Sequence, residues 1–427
     1  MRPTTHRAAI ASLLLAAALL APSAHAAVKK MFVTSASGNA KLENWPVIAG
    51  QGRTGADAGD AICQTLAANA GLANAGAFRA WLSTTADDAF CRVRTSNGAG
   101  TKAGRCGGID PIFFSLFTGG PWVRTDGYPF SLDELDVTNR SAVLTPGVLD
   151  ENGDDVQPAP GVSLAWTGTD DEGVAFGGRC GDWISGFSGS TTTYGAFTNT
   201  TSGWSNRGTA SCDQIYHLYC FETGTNGSAL PSFEVPGALA FVTAGAGSGN
   251  LGAWMGAQGT GLAAADATCQ RSARSTGLPH PDSFHAWLST STVDAIDRLT
   301  IDGPWKRLDG VQIASSKADL GDGRLFSTIT QDEYGEYRPG EVVWTGTLGD
   351  GTSSGETCSD WTNGTAASTG RSGTSSVSLS SWTNGVERDC VDDDAVPRHL
   401  YCFSDVVIDF WDGFESGWTR RWSGTFP

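Results

Sequence analysis

Cys180-Gly-Asp-Trp-Ile-Ser-Gly186 and Cys358-Ser-Asp-Trp-Thr-Asn-Gly364 spell one pattern, Cys-x-Asp-Trp, 178 residues apart. The surrounding sequence repeats with it. Phe32-Val-Thr34 recurs as Phe241-Val-Thr243, and Asp60-Ala-Ile-Cys-Gln64 as Asp266-Ala-Thr-Cys-Gln270. Phe78-Arg-Ala-Trp-Leu-Ser-Thr84 recurs as Phe284-His-Ala-Trp-Leu-Ser-Thr290, and Gly120-Pro-Trp-Val-Arg-Thr-Asp-Gly127 as Gly303-Pro-Trp-Lys-Arg-Leu-Asp-Gly310. Trp166-Thr-Gly-Thr169 matches Trp344-Thr-Gly-Thr347, and His217-Leu-Tyr-Cys-Phe221 matches His399-Leu-Tyr-Cys-Phe403. Spacings agree too: 18 residues separate Cys63 from Trp81 and Cys269 from Trp287, and 24 separate Cys180 from Trp204 and Cys358 from Trp382. Shared order and spacing define a tandem duplication.

The copies run over residues 27–222 and 238–404. The Pro-, Gly- and Ser-containing stretch 223–237 between them reads as a linker. Copy one carries an extra segment, 86–108, between its Trp81 and Trp122, with two private cysteines, Cys91 and Cys106. Asp57–Asn69 and Leu262–Ser275 are Ala-containing stretches stopped by Gly71 and Gly277, which predicts a helix in each copy. The Phe-x-Ala-Trp-Leu-Ser-Thr, Val-Val-Trp-Thr-Gly-Thr and Tyr-His-Leu-Tyr-Cys-Phe stretches predict strands. One or two helices and many short strands per copy make an α+β class.

Arg2 and Arg7 flank the start of an apolar run, Ala8–Leu20, followed by Ala24-His-Ala26, which reads as a secretory signal peptide over residues 1–26. A secreted, extracellular or cell-surface location follows. The chain carries a net charge of −17, and loss of the two signal-peptide arginines takes it to −19. That surface repels polyanions, so nucleic acid and heparin-like chains are not expected partners. All ten cysteines are expected to pair in an oxidising compartment. Four recur per copy (63, 180, 212, 220 and 269, 358, 390, 402), and Cys91 and Cys106 complete the set. No Cys-x-x-Cys pair suggests zinc.

In their order, the helix bearing the first Cys, Ala-Trp-Leu-Ser, Gly-Pro-Trp, Trp-Thr-Gly-Thr, Cys-x-Asp-Trp, a late Trp and Tyr-Cys-Phe resemble the endostatin domain. They resemble still more closely the bacterial endostatin-like secreted domains of the C-type-lectin-like fold. The likeness covers nearly all of both copies. It implies two tandem domains, each a disulfide-tied antiparallel sheet with one or two helices and a long loop region. It also implies nested bonds, first to fourth and second to third: Cys63–Cys220 and Cys180–Cys212, then Cys269–Cys402 and Cys358–Cys390, with Cys91–Cys106 apart. In the chain-entropy model each outer bond is worth roughly 4–5 kcal/mol. On this reading Cys-x-Asp-Trp is structural: Trp183 and Trp361 fill a core, and Asp182 and Asp360 accept backbone hydrogen bonds.

Calcium-dependent lectins of that fold use a carboxylate-Pro-Asn motif and a Trp-Asn-Asp motif. This chain has Trp204-Ser-Asn206 and Trp382-Thr-Asn384 without the following Asp, and acidic loops at 150–154 and 332–336 without Glu-Pro-Asn. The loop that starts at Asp150 also begins like an EF-hand but has no Gly at its sixth position and no Glu at its twelfth. No metal or cofactor is therefore expected. His217 and His399 sit at equivalent strand positions and read as structural. Gly351-Thr-Ser353-Ser-Gly355 matches a hydrolase elbow only in letters, without a preceding apolar strand. Arg124 with Asp126, and Arg307 with Asp309, read as a salt-bridged turn or a ligand clamp, and Gly127 and Gly310, which follow at once, favour the turn.

The last stretch, 405–427, resembles the Asp-Gly-Phe-Glu-Ser-Gly tails of secreted proteobacterial proteins, and is read either as a strand docked on the second copy or as a sorting signal. The functional expectation is a non-enzymatic binding protein for an extracellular protein or glycan. Its candidate contacts are Asp150, Glu151, Asn206, Asp332, Glu333 and Asn384. The competing expectation is a secreted hydrolase using loop carboxylates.

Overall fold

A computed structural model describes residues 28–94, 98–108, 121–132, 137–138, 143–156, 163–224, 236–391 and 396–408. Residues 1–27, which include the expected signal peptide, most of the expected linker 223–237 and the tail beyond Ile408 lie outside them. In the first half, eight strands follow one another: β1 Lys29–Val33, β2 Phe78–Ala80, β3 Trp122–Val123, β4 Pro129–Ser131, β5 Leu164–Trp166, β6 Thr191–Ala196, β7 Gly208–Ser211 and β8 His217–Glu222. They form one sheet in the order β4-β3-β1-β8-β5-β6-β7, with β2 also on β8. The second half repeats the plan with β9 Ala238–Val242, β10 Phe284–Ala286, β11 Trp305–Lys306, β12 Gln312–Ala314, β13 Val342–Trp344, β14 Thr369–Thr374, β15 Glu387–Asp389, β16 Arg398–His399 and β17 Tyr401–Ser404. Its long last strand is split at Leu400 into β16 and β17, so one sheet becomes two, β10-β17-β9-β11-β12 and β15-β14-β13-β16.

The sheets are mixed, which corrects the expected antiparallel architecture. β1 pairs parallel with β3 and β5 parallel with β8, as β9 does with β11 and β13 with β16. Parallel neighbours need a long crossover. The chain supplies one, because the main helix and its loops lie between β1 and β3.

Strand alternation divides each half into two cores. Phe32, Leu218 and Cys220 face the helix together with Trp166 and Trp183. Their strand neighbours Met31, Val33, Tyr219 and Phe221 face the opposite side with Trp81, Trp122 and Trp204. Period-2 side-chain direction alone accounts for this split. The second half shows the same division, with Phe241, Leu400 and Cys402 on one side and Ala240, Val242, Tyr401 and Phe403 on the other. The main helices span Gly55–Asn69 and Gly261–Ser275. Each stops in a Schellman-type turn, with Leu72 N–H donating to Ala67 O and Leu278 N–H to Ala273 O, both at 2.9 Å. The strand predicted over Phe78–Thr84 is regular only over Phe78–Ala80, and its twin only over Phe284–Ala286, although Trp81 N–H and Trp287 N–H still donate to Tyr219 O and Tyr401 O at 2.9 Å.

The disulfides are Cys63–Cys220, Cys180–Cys212, Cys91–Cys106, Cys269–Cys402 and Cys358–Cys390. Each outer bond joins the helix to the last strand, and none links the two halves.

Cys-x-Asp-Trp is a turn of left-handed helix. Cys180, Gly181, Asp182 and Trp183 all have φ between 50 and 72°, and Cys358 through Trp361 lie between 51 and 65°. For a non-glycine residue this conformation costs roughly 1–2 kcal/mol. Surrounding bonds hold it. Asp182 Oδ1 accepts from Thr85 N–H at 2.8 Å, and Asp360 Oδ1 from Ser291 N–H at 2.7 Å. The buried Trp183 donates Nε1–H to Ser83 O at 2.8 Å, and Trp361 donates to Ser289 O at 2.7 Å. The middle of Trp-Thr-Gly-Thr must be glycine for the same reason: at Gly168 and Gly346 a Cβ would stand 2.7 Å from the Trp183 and Trp361 rings, at φ near 60°.

Candidate functional site

Of the six residues singled out from the sequence, the four acids are buried and engaged, the two aspartates in local turns and the two glutamates with distant segments. Asp150 Oδ1 accepts from Asn152 N–H at 2.8 Å and Asp154 N–H at 3.0 Å. Asp332 Oδ1 accepts from Tyr334 N–H at 2.9 Å and Glu336 N–H at 3.0 Å, and its Oδ2 takes Arg338 Nε–H at 2.6 Å. Asp170, which the sequence reading passed over, makes the same turn with Glu172 and Val174. Glu151 accepts from the backbone and hydroxyl of Ser35, and Glu333 from Ala244 N–H at 2.7 Å and Ser272 Oγ–H at 3.0 Å. Burial pushes the Glu333 carboxyl above its ordinary value, against the hydrogen bonds that pull it down. Glu151 thus fastens its loop to the segment just after β1, and Glu333 fastens its loop to the segment just after β9 and to the helix Gly261–Ser275. Among the described residues no group of three or more His, Cys, Asp or Glu side chains is arranged to hold a metal ion.

Asn206 and Asn384 stand differently. Both are half-exposed, and both side-chain amides hydrogen-bond to none of the described residues. Their backbones are fixed, Asn206 N–H to Ser202 O at 2.9 Å and Asn384 N–H to Ser380 O at 2.7 Å, in the short turns Ser202–Trp204 and Ser380–Trp382. The Trp in each turn is the anchor. Trp204 packs 5.1 Å from Trp81 and 5.4 Å from Tyr219, and Trp382 packs 5.1 Å from Trp287 and 5.7 Å from Tyr401. Each buried indole N–H of this pair is unpartnered.

The two halves meet along a seam beside these turns. Thr200 N–H donates to Ser376 O at 2.9 Å and Ser378 N–H to Thr198 O at 3.2 Å, an antiparallel bridge about Asn199 and Val377. Arg124 forms the expected ion pair with Asp126 at 2.5 Å, and also donates to Pro146 O at 2.9 Å and, across the seam, to Phe326 O at 3.1 Å. Arg307 does the converse. It pairs with Asp309 at 2.6 Å, reaches Thr328 O at 3.4 Å in its own half, and crosses to Leu144 O at 2.5 Å. Each guanidinium lies over a tyrosine, Tyr128 or Tyr337. Burial raises the Asp309 carboxyl, but the Arg307 charge and the bonds from Arg307, Tyr337 and Val311 outweigh it and hold the group below the usual carboxylate value. The acidic turns brace this arrangement: Thr125 Oγ1–H donates to Asp150 O at 3.0 Å, and Gln331 Oε1 accepts from Asp309 N–H at 2.9 Å.

Sequence reasoning found the Arg–Asp turns and missed their reach across the seam. The available signal was donor number: a guanidinium has five N–H groups, and a two-residue turn uses only part of them.

His217 and His399 are buried, with Nδ1 2.6 Å from Thr34 O and 2.7 Å from Thr243 O. Ser353 sits in a hairpin turn, its Oγ accepting from Gly355 N–H at 3.2 Å. Also missed was an ion pair repeated in both halves, Asp60–Arg92 at 2.7 Å, buried, and Asp266–Arg298 at 2.6 Å, half-buried. Both arginines stand 11 residues after the Trp of Ala-Trp-Leu-Ser, a spacing visible in the sequence.

No family model and no curated protein matches this chain.

Proposed function

We propose that the protein is a secreted, non-enzymatic binding protein. In this reading its two halves are endostatin-like domains of the C-type-lectin-like fold, and they present two related surfaces to an extracellular protein or glycan. Five disulfides and the absence, among the described residues, of a helix long and apolar enough to cross a membrane are in keeping with that setting. The observation that carries the reading is the matched pair Asn206 and Asn384. Each offers an unengaged amide to solvent from a turn anchored by a buried tryptophan, flanking a seam that fixes the two turns relative to one another. Rigid presentation lowers the ordering cost of binding, and two linked sites add avidity. The acids Asp150, Glu151, Asp332 and Glu333 act in this proposal as the frame beneath the surface. Their engagement with backbone N–H groups also counts against a hydrolase built on them.

The test is an array of glycans and matrix proteins probed with the full chain, the single variants Asn206→Ala and Asn384→Ala, and the double variant. The single variants weaken binding and the double variant abolishes it, at unchanged melting temperature and without sensitivity to a calcium chelator. Binding indifferent to both substitutions, or turnover of a glycan on the array, overturns the proposal.

A further inference from the structure

The seam obeys a two-fold rule. In the register of the duplication Thr198 corresponds to Ser376 and Thr200 to Ser378, the same 178-residue offset that relates Cys180 to Cys358. The cross-seam bonds run from Thr200 N–H to Ser376 O and from Ser378 N–H to Thr198 O. Donor in one half and acceptor in the other therefore exchange roles under the repeat. The arginines obey it as well. Arg124 and Arg307 are equivalent by sequence. Leu144 and Phe326 are equivalent by structure, their N–H groups donating to Phe130 O and Ile313 O on the matched strands β4 and β12, at 2.8 and 2.9 Å. Arg124 takes Phe326 O, and Arg307 takes Leu144 O. Residue i contacts j, and the equivalent of j contacts the equivalent of i, which is the signature of an isologous interface.

We infer that the seam face of each half is self-complementary, so that a second copy of the same half fits it. The first half alone carries every group the pairing uses: the Thr200 N–H, the Thr198 carbonyl, the Arg124 guanidinium and the Leu144 carbonyl. The backbone groups are indifferent to the Thr-for-Ser and Leu-for-Phe differences between halves. No disulfide crosses the seam, and each half has its own cores and its own bonds, so the contact is a non-covalent interface joined in parallel by the linker. Thr198, Thr200, Ser376, Ser378, Arg124 and Arg307 are all buried, as the centre of such an interface requires. The duplicated chain is thus an internal dimer, and cutting its linker leaves a pair whose members are interchangeable. This inference stands apart from the identity of any ligand.

The experiment uses the full chain with residues 226–230 replaced by a specific protease site, folded and oxidised before cutting. After cutting, both fragments are expected to co-elute at the mass of the uncut chain under non-reducing conditions. A second batch, carrying an affinity tag at residue 28, is cut in the same way. The two are diluted below the dissociation constant of the pair, mixed and reconcentrated. Capture of the tag is expected to retain untagged first-half fragment, identified by mass. Arg124→Met, in the cut chain, is expected to raise the dissociation constant tenfold or more. Separate elution of the cut halves refutes the interface. Co-elution with only second-half fragment retained on the tag refutes its self-complementarity.

Discussion

Replacing Arg307 by alanine isolates the most buried charge at the seam. Arg307 is fully buried, and its partner Asp309 has a side chain only 16% exposed. The substitution leaves the carboxylate with Tyr337 Oη–H at 2.7 Å and Val311 N–H at 3.1 Å, and deprives the Leu144 carbonyl of its cross-seam donor. Breaking a buried ion pair from one side costs about 3–5 kcal/mol, because the remaining charge is uncompensated. For a unit of this size each kcal/mol shifts the melting temperature by about 2–4 °C, giving a loss of about 6–20 °C. Arg124→Ala is the built-in comparison. Asp126 is 31% exposed, so water takes over part of its solvation, and the cost falls to about 1–2 kcal/mol. Adding Asp309→Asn to Arg307→Ala removes the orphan charge and recovers at least about 1.5 kcal/mol. Calorimetry at neutral pH under non-reducing conditions reads all four proteins. A cost below about 1 kcal/mol for Arg307→Ala, equal costs for the two arginines, or no recovery in the double variant refutes the argument.

Three further outcomes follow from the same geometry. Ser359 holds φ of 54° where its counterpart is Gly181, so Ser359→Gly is expected to stabilise by about 0.5–1 kcal/mol and Gly181→Ser to destabilise by a similar amount in thermal melts. Asp150→Asn keeps the Oδ1 acceptor for Asn152 and Asp154 N–H and should unfold within about 0.5 kcal/mol of the parent, whereas Asp150→Ala loses both bonds and about 1–3 kcal/mol, measured in urea. His285 bridges Asp266 and Asp405 at 3.5 and 3.4 Å, and its hydrogen bond to Asp266 raises its pKa against burial. Its contribution is therefore complete below about pH 6.5 and disappears as pH rises through the raised value, while burial lowers His217 and makes that group cost stability on acidification below the same point. NMR titration of the two imidazoles should show them displaced in opposite directions, and His285→Gln should flatten the alkaline side of the stability profile.

The duplication, its anchors and the two helices were legible in the sequence because each is a local or periodic signal: an Ala-containing stretch stopped by glycine, a cysteine at fixed distance from a tryptophan, an Arg two residues from an Asp. The even cysteine count required pairing, and the resemblance supplied a nested pattern of the kind the structure contains. Other features depend on what stands opposite a residue after folding. Glu151 and Glu333 look like solvated loop acids until Ser35 and Ala244, about a hundred residues away, are brought against them, whereas the side-chain amides of Asn206 and Asn384, in equally polar stretches, engage none of the described residues. Parallel pairing of β1 with β3 is invisible to period-2 alternation, which is the same in either direction. The left-handed turn at Cys-x-Asp-Trp runs against local preference, and only the combined hold of the disulfide, the Trp183 and Trp361 indoles and the Asp182 and Asp360 carboxylates imposes it. The seam lies furthest from the sequence, since it forms where two folded surfaces coincide, and a backbone carbonyl such as that of Leu144 or Phe326 carries no letter that marks it as an acceptor.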